Sequence, residues 1–210
     1  MTATIDHLVY ACPDLGQAVE RIATQAGVRA AFGGQHPGLG THNALLSLGE
    51  RTYLEIIAPD PSQPRPDGPL PFGLGELAEP GLRAWAVAPG DLDAAVRRSA
   101  AAGFCYGTIT DRRRLSPEGH EITWRMTTHP PSAGVTVTPF LIDWDGGQHP
   151  ADTAPGGLSL HLLMLRSPDP GRLAARLHAL GLDLDAESAE KPELGAVLLG
   201  PKGQRIVLGC

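Results

Sequence analysis

The chain has 210 residues and a formal net charge of −6, from 17 Lys and Arg against 23 Asp and Glu, and 42% of it is apolar. That length is one large domain or a domain plus a smaller unit. The acidic balance lacks the clustered cations of a nucleic-acid face, and no apolar run approaches the roughly 18 residues of a membrane helix, so neither nucleic acid nor membrane is an expected partner.

The 26 Gly and 20 Pro exceed average usage while the apolar complement stays high, which points to many short elements closed by tight turns, not to disorder. Cys12, Cys105 and Cys210 are dispersed with no CxxC spacing, so neither a disulfide framework nor a thiolate zinc site is expected. The opening residues show no basic n-region and no long apolar h-region. A reducing, cytoplasmic setting fits.

In chain order, Ile5-Asp6-His7-Leu8-Val9-Tyr10-Ala11 is a short apolar run with β-branched residues that stops before Pro13, which predicts a strand. Asp14 stands at an N-cap position. Leu15, Ala18, Val19 and Ile22 recur at helical spacing, and Gly27 closes the helix. Residues 28–32, 43–48 and 52–58 read as strands, with Gly33, Gly34, Gly38 and Gly40 as a Gly-rich turn. The unit over residues 1–60 is β-α-β-β-β.

It recurs over residues 80–145: a strand through Arg83, Trp85 and Val87, an Asp91 cap, a helix through Leu92, Ala95 and Val96, Gly103, and strands at 106–110, 121–127 and 137–143. A third, shorter β-α-β-β copy spans 158–210, with a strand at 158–165, Pro168-Asp169, helical Leu173, Leu177 and Leu180, Gly181, and strands at 182–184, 196–199 and 204–208. The stretch 59–71, with six prolines, and the stretch 146–157 read as surface linkers. The expected fold is α+β, with repeated β-α-β-β-β modules. Residues 1–145 make one two-module domain, and the third module's open face requires cover from the others or from a second copy in a homodimer.

The blocks Ile5-Asp6-His7-Leu8-Val9, Gly40-Thr41-His42-Asn43-Ala44-Leu45-Leu46-Ser47-Leu48, Tyr53-Leu54-Glu55-Ile56-Ile57-Ala58-Pro59-Asp60, Pro139-Phe140-Leu141-Ile142-Asp143-Trp144 and His149-Pro150 resemble the glyoxalase-like branch of the vicinal oxygen chelate superfamily. The resemblance covers roughly residues 4–160. It implies paired modules whose curved mixed sheets enclose a cavity, where a divalent metal held by first and last strands meets a small substrate with adjacent oxygens. Lyase, isomerase and dioxygenase chemistries all occur on that fold, as do metal-free binding or sequestering proteins.

His7 and Glu55 lie mid-strand among apolar residues, and a carboxylate buried between Leu and Ile requires a cation, a metal or several donors. Imidazole plus carboxylate suits Zn, Fe, Mn, Ni or Co. On the residues alone, a satisfied core histidine and an outward Glu55 fit the same pattern; the resemblance favours ligands, with Asp143 and His161 as further metal candidates. Position matching puts Arg83 or Ala84 opposite His7, and neither is a ligand. Arg83 in the cavity would pair with Glu55 or hold an anionic substrate group. Trp85, Trp124, Arg125, His42 and Asn43 are the other candidate substrate contacts, and His149, in a Gly-flanked loop, is with Glu55 a candidate acid or base.

Overall fold

A computed structural model describes residues 3–128 and 134–209. The first eight strands alternate with two helices: β1 (Thr4–Ala11), α1 (Leu15–Ala26), β2 (Ala31–His36), β3 (Thr41–Ser47), β4 (Tyr53–Pro59), β5 (Gly81–Ala88), α2 (Leu92–Ala101), β6 (Ile109–Leu115), β7 (Glu121–Thr127) and β8 (Phe140–Asp143). After them come β9 (Ser159–Ser167), α3 (Pro170–Leu180), β10 (Glu187–Ser188), β11 (Glu193–Leu199) and β12 (Arg205–Gly209). Each helix starts as its cap dictates. Asp14, Asp91 and Asp169 accept from the backbone N–H groups of Gln17, Ala94 and Arg172, satisfying donors that have no intrahelical partner.

The fold is α+β, and β1–β8 close into a barrel in the order β1-β4-β3-β2-β6-β7-β8-β5. Each β-α-β-β-β module supplies four neighbouring strands. One seam is long, β1 running antiparallel to β5 from Thr4↔Ala88 to Ala11↔Gly81. The other is a single pair, Gln35↔Leu115, between β2 and β6. That short seam explains a difference from the expected elements: β2 runs through Gly33 and Gly34, which read as a turn. Gly34 has φ +140, and a Cβ there would collide with the Leu115 carbonyl of β6. The glycine is required for close approach between modules, not for a turn. Similarly, β6 begins later than expected and takes the arginine run 112–114 into the strand.

The last sheet has the order β10-β9-β11-β12. In both barrel modules the first strand pairs in parallel with the last, whereas β9 is flanked by parallel β10 and antiparallel β11. The third segment therefore begins like the modules but has a different topology. A Pro stop and an Asp cap solve a strand-to-helix junction locally and say nothing about strand order. No strand forms at 182–184; Leu182 and Leu184 pack into the core instead.

Two apolar clusters result. The larger joins the outer face of the barrel, α1–α3 and the last sheet, with Leu8, Trp85, Leu92, Leu165, Leu177 and Leu198 among its members. The smaller lines the barrel interior, with Val9, Leu45, Tyr53, Trp124, Phe140 and Trp144. Among the described residues no helix is long and apolar enough to cross a membrane. Cys12 is buried and Cys105 exposed, both as free thiols, and Cys210 lies outside the described residues.

Candidate functional site

The barrel encloses a cavity of about 310 Å³, the small end of the range for ligand sites. Aromatic side chains form much of its wall, and the polar groups that converge on it come from both modules.

Most polar order is built around Asp6. Between Ile5 and His7 the β1–β5 ladder shifts register, so Asp6 is an extra residue on β1, a β-bulge that re-aims its side chain. Asp6 is 1% exposed. Its Oδ1 accepts from His7 Nδ1 at 2.6 Å, and its Oδ2 accepts from Trp144 Nε1 and His149 Nε2, both at 3.1 Å. His149 Nδ1 accepts the Ala151 N–H at 3.2 Å, which leaves its ring proton on Nε2 to be donated to Asp6. Burial alone would push the Asp6 carboxyl up; the hydrogen bonds from His149 and His7 outweigh it and hold Asp6 at about 2. Asp6 is thus a permanent carboxylate that keeps the His7 proton on Nδ1 and the lone pair on Nε2.

That Nε2 lies 3.9 Å from Glu55 Oε2. The His7 ring is held by Tyr53, stacked at 4.6 Å between centroids, and by the edge of Phe140 at 5.3 Å. Burial, with the carboxylates of Asp6 and Glu55, pushes the Tyr53 hydroxyl well above its usual range, so it stays neutral. Glu55 Oε1 accepts from Asn43 Nδ2 at 2.7 Å. His36, whose Nδ1 bonds Thr41 Oγ1 at 2.9 Å, sits 3.9 Å from the same Oε1, and burial holds it below its ordinary value although Glu55 opposes this.

Of the residues expected from sequence, His7, Glu55, Asn43, Arg83 and Trp124 line the cavity. Arg83 does so because the ladder shifts a second time, between Val9 and Tyr10, making it the extra residue on β5. Both Arg83 and Ala84 then face the cavity.

The others lie elsewhere. Trp85 alternates away from Ala84 and Ala86, is 0% exposed in the outer core, and donates from Nε1 to the Val137 carbonyl at 2.9 Å. Arg125 points outward and holds Asp93 of α2 at 3.0 and 3.3 Å. Asp143 pairs with Arg125 across the ladder, between inward Ile142 and Trp144, and accepts the Asp145 N–H at 2.9 Å, an ordinary turn bond. His42 alternates with inward Asn43, meeting Phe32 at 6.1 Å and Asp60 at 3.9 Å. His161 is exposed on β9 of the other sheet. His149, expected in a loop over the pocket, is 1% exposed, bonds Asp6 and is not among the residues that line the cavity. Asp6, His36, Arg112 and Arg114 are cavity or support residues that sequence reasoning missed. Asp6 had one visible signal, a carboxylate inside the same apolar strand as His7.

Vicinal oxygen chelate proteins often hold a divalent metal, and the donor set here does not fit one. His7 and Glu55 offer two donors. The β5 and β8 side chains that line the cavity with them include Ala84, Phe140 and Ile142, which have no ligand atom. His36 spends both ring nitrogens on Thr41 and Asn43. Among the described residues no three His, Cys, Asp or Glu side chains gather in metal-holding geometry. Asp143 and His161 lie outside the cavity, so the expected four-ligand set does not form.

Among solved structures, a hypothetical protein from Staphylococcus aureus superposes with a TM-score of 0.65 at 12% identity, over 90% of this chain and 88% of its own. Methylmalonyl-CoA epimerase from Mycobacterium tuberculosis matches at 0.41 and 22% over 66% and 84%. The Streptomyces coelicolor methylmalonyl-CoA epimerase, in complex with 2-nitronate-propionyl-CoA, matches at 0.47 and 22% over 68% and 97%. At 12% identity the likeness to the Staphylococcus aureus protein is one of fold. No curated protein matches the chain. A family model described as Glyoxalase-like domain matches residues 5–181, from β1 to the end of α3. On that match the chain belongs to the Glyoxalase-like domain family, within the vicinal oxygen chelate fold.

Proposed function

We propose that this protein binds a small carbonyl compound in the barrel cavity and moves a proton at the carbon beside the carbonyl, with His7 Nε2 as general base. The observation that carries the reading is the 2.6 Å bond from His7 Nδ1 to a carboxylate that is itself anchored by Trp144 and His149. Asp6 sets the tautomer and balances the imidazolium that forms. In the step, the C–H proton passes to His7 Nε2 and its electron pair moves onto the carbonyl oxygen as an enolate. Glu55, 3.9 Å from that nitrogen, stands where a second group is needed to return a proton at another position or to assist a leaving group. The reaction class is isomerase or lyase. A positioned base of this kind contributes roughly 10²–10⁴ in rate.

The test is deuterium exchange at the carbon beside the carbonyl of phenylpyruvate and 2-oxobutyrate in D₂O, followed by NMR. Wild type is expected to exchange at least about 10² faster than His7→Gln, with Asp6→Asn also slow. Equal rates for wild type and His7→Gln on both probes overturn the reading.

A second reading, a binding or sequestering protein, draws support from the aromatic wall, where Trp124 and Trp144 lie 5.3 Å apart by centroid. It predicts tight binding with no exchange.

A further inference from the structure

We infer that Arg83, Arg112 and Arg114 form an oxyanion-recognition subsite in the barrel cavity, which selects a small acid with an apolar body over its neutral analogues. The inference deepens the reading of the cavity as a ligand site and does not depend on His7 acting as a base.

The charge inventory of the cavity wall is the starting point. Among the described residues three guanidinium groups line it, against one carboxylate, Glu55, whose ion-pair contacts are to His7 and His36 and not to an arginine. Asp6 lies behind His7 and is already satisfied by three donors. The cavity of a protein with a net charge of −6 is therefore cationic.

Strand alternation sharpens the contrast. Arg113, between the two cavity arginines on β6, points outward and is paired with Glu121 at 2.7 Å. Arg112 and Arg114 point inward and meet no carboxylate within ion-pair distance among the described residues. Arg114 is buried and held by the Gly33 carbonyl, which orients its fork but supplies no counter-charge. Arg83 is delivered by the β5 bulge, and its Nε is a buried donor with no hydrogen-bond partner among the described residues.

A buried donor without a partner and a permanent cation without a counter-ion are both unfavourable, and a ligand oxyanion relieves both at once. Guanidinium forks match the planar or tetrahedral oxygens of carboxylate and phosphate. The rest of the wall, with Leu45, Ile57, Phe140 and Ile142 and with Trp124 beside Arg112 on the β6–β7 ladder, is apolar and fits an apolar body. Such a cavity binds the acid and rejects the amide, which leaves the arginines unpaired.

The test titrates the protein with benzoate, phenyl phosphate and benzamide, by calorimetry and by tryptophan fluorescence, since Trp124 and Trp144 lie in the cavity and Trp85 does not. None of the three probes has a removable proton beside a carbonyl. At least one anion is expected to bind about tenfold or more tighter than benzamide, more weakly at high salt, and the stronger anion identifies carboxylate or phosphate as the preferred group. Arg83→Gln and Arg112→Gln are each expected to lose about tenfold, Arg83→Lys less, and Arg113→Gln, whose side chain points outward to Glu121, to stay within about twofold of wild type. Anion and amide binding alike, unchanged affinity in Arg112→Gln with its fold intact, or no saturable anion binding to about 10 mM each overturns the inference. Arg112 is half-buried, so its variant remains informative if Arg83→Gln does not fold. Anion binding without deuterium exchange would sustain the subsite and remove the proton-transfer reading.

Discussion

Asp6 on β1 and His149, 143 positions later in the loop after β8, share a 3.1 Å hydrogen bond in the interior of the protein. The bond ties the end of the second module to the first strand of the first and fixes which ring nitrogen of His149 carries its proton. The hydrogen bond that sets the His7 tautomer depends on this carboxylate staying ionised.

The pH dependence of folding follows from that. Asp6 is held at about 2 against 3.8 in the unfolded chain, a depressed value, so its contribution is present above the unfolded value and is lost as pH falls through the folded one. The contribution is about 2 kcal/mol at neutral pH, at 1.36 kcal/mol per unit, complete above about pH 5 and gone by about pH 1. Asp6→Asn, which leaves His149 and Trp144 sharing an amide, is expected to cost about 2–4 kcal/mol at pH 7. Urea unfolding of both proteins at pH 7 and pH 2 checks this: the gap should shrink at pH 2, and an unchanged gap would show that Asp6 acts through packing alone.

Gly34→Ala should destabilise the barrel by about 1–3 kcal/mol, the usual scale for a non-Gly residue forced into such a conformation, because the new methyl meets the Leu115 carbonyl at the one-pair seam. Thermal unfolding reads the effect. A melting temperature equal to wild type would mean that β2 and β6 separate freely.

Arg125→Ala, Asp143→Asn and His161→Ala are expected to leave benzoate affinity within about twofold of wild type, the scale of indifferent surface changes. None of the three side chains lines the cavity: Arg125 faces outward to Asp93, Asp143 bonds the Asp145 N–H and His161 is on β9. A loss of tenfold in any of them, measured by the same calorimetry, would place it on the cavity.

Trp85→Phe keeps an aromatic ring in the outer core, with some loss of volume, and removes the N–H donated to the Val137 carbonyl. Leaving that carbonyl unpaired is expected to cost about 1–3 kcal/mol in urea unfolding with benzoate affinity unchanged. Weakened binding at unchanged stability would contradict its placement outside the cavity.

The modular plan was legible because its signals are local. Asp14, Asp91 and Asp169 cap helices, and Gly27 and Gly181 end two of them in the left-handed conformation. His7 and Glu55 were legible as polar residues in apolar strands. What escaped depends on contacts between distant segments. Gly33 and Gly34 looked like a turn because the strand they must approach lies about 80 residues downstream in the other module. Trp85, His42, Arg125 and Asp143 needed the parity of their strands, which composition does not reveal. Asp6 defeated parity itself, being the extra residue of a bulge on β1. The third segment shared the modules' opening phrase and not their strand order, since caps are chosen by one junction and order by the whole sheet.

The two bulges of the β1–β5 seam lie on opposite strands, one carrying Asp6 and the other Arg83. The second insertion cancels the first, so Thr4↔Ala88 and Ala11↔Gly81 stand in the same step although the pairs between them are displaced by one. Deleting either residue alone would put one end of the seam out of phase and turn its side chains to the opposite face. Replacing either leaves every rung intact. The closed barrel therefore constrains how many residues stand at these two points and leaves open which they are, so the protein's chemistry can diverge by substitution at two positions whose backbone the architecture does not use.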